Sequence, residues 1–155
     1  MSQATSELQD LYRELILDHS RNPRHFGRLD GATHSAADIN PLCGDKLRLY
    51  VCVNDDDNIE STHFEGSGCA ISIASASLMA DAITNVPVSE AEACISEITG
   101  RLTTDIPERA ISTRLRKLAA LDGVRAFPGR VKCATLAWQT LHSALNNDTT
   151  PATTE

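Results

Sequence analysis

The spacing of apolar positions changes along this chain, and each change marks a predicted element. Over residues 6–19, Leu8, Leu11, Tyr12, Leu15 and Ile16 recur three and four apart, the stripe of an amphipathic helix. Ser6 and Gln9 make a capping-box pair at its start, and Asn22-Pro23 ends it, because a residue before proline avoids helical angles. Residues 32–39 read as a weaker strand. In residues 46–53 the period drops to two: Leu47, Leu49, Val51 and Val53 alternate with Arg48, Tyr50 and Cys52, as in a strand with one buried face. Asn54-Asp55-Asp56-Asp57-Asn58 is a turn, so residues 59–65 return as a hairpin partner. The acidic run lacks the ligand spacing and closing glutamate of a calcium loop.

Helical spacing resumes after Gly66-Ser67-Gly68. Ile71, Ala74, Ser75, Leu78 and Ala82 share a face of a helix running to about residue 85. Ser89 with Glu92 predicts a capped start for the next helix, and Gly100 its stop. Ile111, Leu115 and Leu118 mark a short helix within residues 101–129. Pro128-Gly129 punctuates the chain before a last helix over 130–146, with Val131, Thr135, Trp138, Leu141 and Leu145 on one face. Strands grouped early and helices late predict an α+β fold: a small antiparallel sheet of about three strands with helices packed on one face. Residues 1–146 read as a single domain, and 147–155 as a disordered polar tail.

Composition narrows the function. A net charge of −7 over 155 residues argues against a nucleic-acid binder or a protein docked on an anionic membrane. No apolar run approaches the roughly 20 residues of a membrane span, and the polar N-terminus lacks a signal-peptide layout. The expected location is cytoplasmic. His19, Arg21, Arg24 and His25 form a small basic cluster, read as a solvated loop in preference to a docking site.

The five cysteines then become informative, because in a reducing compartment they more often ligate metal, react or fill a core than form disulfides. Cys43 and Asp45 lie two apart in a turn entering a strand. Cys69 sits between a glycine-rich turn and a helix N-terminus, and Cys133 near the start of the last helix. Helix-terminal charge, with Arg130 and Lys132 beside Cys133, favours thiolate, the form that both attacks and ligates. Three sulfurs and one carboxylate suit a tetrahedral zinc ion. Buried, inert cysteines are the competing reading. Cys52 in mid-strand and Cys94 in mid-helix read as packing residues.

Asn40-Pro41-Leu42-Cys43-Gly44-Asp45, Gly66-Ser67-Gly68-Cys69-Ala70-Ile71-Ser72 and Arg130-Val131-Lys132-Cys133-Ala134-Thr135-Leu136 resemble the three cysteine motifs of the IscU/SufU (NifU N-terminal-like) family. The segment from Leu11 to His19, with Asn22-Pro23-Arg24, resembles the same family. Lys132 stands where IscU scaffolds carry histidine, and residues 101–129 look longer than theirs, as in the SufU branch. The resemblance implies a zinc-dependent sulfurtransferase that serves a cysteine desulfurase of SufS type and the downstream iron–sulfur assembly machinery. Carried over by motif, Cys43, Asp45, Cys69 and Cys133 would bind Zn2+, and Cys43 would accept the persulfide sulfur. The alternative is a scaffold that builds a [2Fe-2S] cluster on the same three cysteines. A zinc hydrolase is the weaker rival, since none of His19, His25, His34, His63 or His142 falls inside a cysteine motif. A purely structural zinc module would tolerate a blocked Cys43.

Overall fold

A computed structural model describes residues 3–41, 44–103, 117–118, 120–122, 124 and 127–146. Its elements run α1 (Gln3–Arg21), β1 (His34–Asn40), β2 (Asp45–Val53), β3 (Ile59–Ser67), α2 (Ala70–Ile83), α3 (Val88–Thr103) and α4 (Pro128–Leu145). The strands form an antiparallel sheet in the order β1-β2-β3. Alternation in β2 is as the sequence predicts: Leu47, Leu49 and Val51 are buried while Lys46 and Arg48 are exposed. The β2–β3 hairpin turns on Asn54, whose side-chain oxygen accepts the N–H groups of Asp56 and Asn58 at 2.9 and 3.0 Å. That Asx turn, with Asp57 at a φ of 59°, accounts for the acidic run without an ion.

The helices cover one face of this sheet. α2 packs against α1, α4 and β3, and α4 lies across β1 and β2 and beside α3. The core joins Leu49, Val51 and Phe64 of the sheet to Met79, Ile83, Ile98, Trp138 and Leu141 of the helices. Residues 72–80 of α2 are all buried, so this helix has no solvent face in its middle, unlike the single stripe read from its sequence. Small side chains permit that enclosure. Ser75 Oγ donates to the carbonyl of Ala134 at 2.6 Å and accepts Trp138 Nε1–H at 3.2 Å, tying α2 to α4.

Several helix boundaries differ from the sequence reading. α1 begins at Gln3, which places Ser6 inside the helix and not at its cap. Leu11, assigned to the buried stripe, is 62% exposed, and Leu15 and Ile16 carry the packing instead. α3 starts at Val88, where the Pro87 carbonyl accepts the N–H groups of Glu90 and Ala91, so Ser89 lies within its first turn. Gly100 does not stop α3; the helix continues to Thr103. α4 starts at Pro128, a residue whose fixed φ and missing N–H suit a first helical position.

The basic cluster is not a solvated loop throughout. His19 is 2% exposed between α1 and α2, with Nδ1 2.7 Å from Ser77 Oγ. Arg24 pairs with Asp18 and His25 with Asp81. The short helix predicted around Ile111 and Leu115 lies outside the described residues, as does the polar tail, while Leu118, Leu121 and Val124 are buried in the core.

Candidate metal centre

Three chain segments converge at one end of the sheet. β1 ends at Asn40, and β2 begins at Asp45, its partner in the strand register. The turn between them closes with the Gly44 N–H donating to the Asn40 carbonyl at 2.8 Å. Gly44 has a φ of 71°, a left-handed conformation that glycine adopts without strain. β2 therefore starts with a carboxylate pointing inward, and Asp45 is 0% exposed.

Burying that carboxylate requires hydrogen-bond donors, and the N-terminus of α2 supplies one. Cys69 is the N-cap of α2, in extended conformation, and its backbone N–H donates to Asp45 Oδ1 at 2.9 Å. The other oxygen, Oδ2, lies 4.0 Å from Cys69 Sγ. Gly68 makes this approach possible, because a Cβ there would fall 2.4 Å from Asp45 Oδ1.

Cys133 arrives from the second turn of α4 and is 1% exposed. Its Sγ lies 3.6 Å from the Gly129 carbonyl and 3.8 Å from Asn40 Nδ2. Among the described residues, Asp45, Cys69 and Cys133 form a group whose ligand atoms all lie within 4.8 Å of one another. Tetrahedral zinc with sulfur ligands at about 2.3 Å places them about 3.8 Å apart, so closure needs a contraction of about 1 Å or less. Donor chemistry and spacing both fit a metal ion.

Of the residues predicted for this site, the structure thus brings Asp45, Cys69 and Cys133 together. Cys43 lies outside the described residues. Arg130 is exposed and Lys132 half-buried on α4. Cys52, Cys69, Cys94 and Cys133 are all reduced thiols. Cys94 packs in the core, and Cys52, on the sheet's outer face, lies 3.5 Å from the Gly31 carbonyl. Sequence reasoning gave no role to Asn40 or Gly68. Both stand inside the cysteine motifs, but their tasks depend on strand register and on the closeness of two turns.

The profile of the NifU-like N terminal domain matches residues 11–147, nearly the whole of the ordered topology just described. The chain belongs to the NifU N-terminal-like family of IscU and SufU proteins. A Streptococcus pyogenes relative named iron–sulfur cluster assembly scaffold protein IscU is 41% identical over 143 residues, covering 92% of this chain and 87% of the relative. A Bacillus subtilis relative named zinc-dependent sulfurtransferase SufU is 40% identical over 141 residues, covering 90% and 92%. A crystal structure of a hypothetical protein superposes with a TM-score of 0.80 at 38% identity, covering 89% of this chain and 98% of that one. The α+β architecture is thus that of NifU-like proteins, and the family's task is iron–sulfur cluster assembly, as scaffold or sulfur-transfer protein. Nearly equal identities to IscU and SufU assign the chain to the family without dividing it between those roles. No helix among the described residues is long and apolar enough to cross a membrane.

Proposed function

We propose that this chain is a zinc-dependent sulfur-transfer protein of iron–sulfur cluster biogenesis. It accepts sulfur on Cys43 from the persulfide of a cysteine desulfurase, and Cys43, Asp45, Cys69 and Cys133 are its metal ligands. The observation that carries this reading is the donor set itself. A carboxylate and two sulfurs lie within 4.8 Å, and Lys132 occupies the position before the third cysteine where IscU scaffolds carry histidine. The Bacillus subtilis relative named for zinc-dependent sulfur transfer supports the same choice.

Bound zinc would hold the thiolates deprotonated and, having no redox chemistry, would leave the transferred sulfur at its oxidation level. The transfer is thiol–disulfide exchange in form. Cys43 thiolate attacks the terminal sulfur of the desulfurase persulfide. The bond between that sulfur and the desulfurase cysteine breaks, the desulfurase leaves as a thiolate, and a persulfide forms on Cys43. No external oxidant or reductant is needed. Cys133 is buried, at 1% exposure, which suits a resident ligand better than a sulfur acceptor and leaves the acceptor role to Cys43.

The direct test is mass analysis of the chain after incubation with a charged desulfurase. One added sulfur mapping to Cys43, lost in Cys43→Ser, is the expected result. Unchanged sulfur loading in Cys43→Ser would remove Cys43 from the role. The scaffold reading keeps one specific support, the identity to the Streptococcus pyogenes IscU, and predicts an iron–sulfur chromophore in place of zinc.

A further inference from the structure

Asn40 lies at the centre of the site and has no role in the sulfur-transfer scheme above. It is the last residue of β1, pairs with Asp45 across the sheet, and is 0% exposed. Its backbone carbonyl closes the turn that carries Cys43, through the Gly44 N–H. Its side-chain amide meanwhile points the other way, with Nδ2 3.8 Å from Cys133 Sγ, a separation that the large radius of sulfur allows for a hydrogen bond.

The two described sulfurs therefore meet different partners. Cys69 Sγ faces an acceptor, Asp45 Oδ2, at 4.0 Å. Cys133 Sγ faces an amide donor, and the Gly129 carbonyl, also beside it, is an acceptor that only a protonated thiol can satisfy. Once metal takes the proton from Cys133, the Gly129 contact loses its hydrogen and the Asn40 N–H···S contact gains strength, because its acceptor is now charged. A hydrogen bond to a metal-bound thiolate withdraws electron density from sulfur and lowers its nucleophilicity, as outer-shell partners tune ligands generally.

Resting on the reading that the site holds metal, we propose that Asn40 is a positioning residue that keeps Cys133 a less nucleophilic sulfur ligand than Cys69 by donating N–H to its thiolate. One asparagine thus joins two parts of the site, its main chain to the Gly44 N–H and its side chain to Cys133.

The test loads the full-length protein with cobalt(II) alone and reads the sulfur-to-cobalt charge-transfer absorption, with no desulfurase present. In Asn40→Ala that absorption moves to longer wavelength, since an undamped thiolate donates more readily. In the zinc-loaded protein, iodoacetamide alkylation mapped by mass spectrometry accelerates at Cys133 by about five- to tenfold, with Cys69 little changed. Asn40→Leu keeps the side-chain size without the donor, and shows the same two changes if the alanine variant does not fold. An absorption and a Cys133 rate like wild type in a folded variant overturn the role of Asn40 and leave the metal reading intact. Absence of any charge-transfer absorption in the wild-type protein overturns the metal reading and the Asn40 proposal together.

Discussion

Asp45 and Cys69, 24 positions apart, are joined by a 2.9 Å hydrogen bond from the Cys69 N–H to Asp45 Oδ1. The bond fixes the start of β2 to the start of α2, and it commits one carboxylate oxygen while Oδ2 remains near Cys69 Sγ. A buried carboxylate thus serves as a structural acceptor with one oxygen and faces a thiol with the other.

The same geometry makes Gly68 indispensable. A methyl group there would fall 2.4 Å from Oδ1 and force the carboxylate away from the Cys69 N–H. Gly68→Ala is expected to weaken zinc binding by at least about tenfold, the equivalent of one charge-assisted hydrogen bond. Competition with a chromophoric chelator measures this; wild-type affinity in Gly68→Ala would contradict the account.

Substitutions at Asp45 separate its two tasks. Asp45→Asn keeps an oxygen that can accept the Cys69 N–H but loses the charge that suits a metal ligand. Zinc affinity should fall while the thermal midpoint of the metal-free protein changes little. Asp45→Ala loses both, leaves a buried donor unsatisfied, and should also lower the metal-free midpoint, by an amount corresponding to about 1–3 kcal/mol. Calorimetry of the two metal-free variants checks the contrast.

A separate pH effect comes from His19. Ser77 Oγ accepts the Arg24 backbone N–H at 2.8 Å and shares a 2.7 Å hydrogen bond with His19 Nδ1. Burial, and secondly the charge of Arg24, hold the His19 pKa below the ordinary 6.5. Below pH 6.5 the unfolded chain takes up a proton that the folded ring resists, so stability is full above that pH and declines as pH falls. Thermal midpoints should drop below pH 6.5 in the wild type. His19→Asn, which can still hydrogen-bond to Ser77 but does not titrate there, should show a shallower decline.

How far the chain could be read from its sequence follows from where its signals are local. β2 shows because Leu47, Leu49 and Val51 alternate with charged or polar residues, and the hairpin shows because Asn54 needs only its near neighbours to form the turn. The enclosure of α2 does not show. Ser72, Ser75 and Ser77 count as polar in any pattern, yet each is small enough to be buried where α1, α4 and β3 meet. Gly100 misleads for a related reason: a glycine signals a helix end only when the following chain turns away, and tertiary packing of Leu102 keeps α3 going. In the site, cysteine spacing and motif resemblance single out Asp45, Cys69 and Cys133, which the structure brings together. The supporting residues depend on contacts made by folding: Asn40 meets Cys133 across 93 positions, and Gly68 matters only because Asp45 comes to lie against it.

The most direct test of the central claim is metal and cluster content of the chain purified without oxygen, with cysteine desulfurase turnover measured with and without it. About one tightly held zinc per chain, no cluster absorbance and a large stimulation of turnover are the predicted results. A stable iron–sulfur chromophore that passes to an apo-protein, with little stimulation of the desulfurase, would contradict sulfur transfer and make the chain a scaffold.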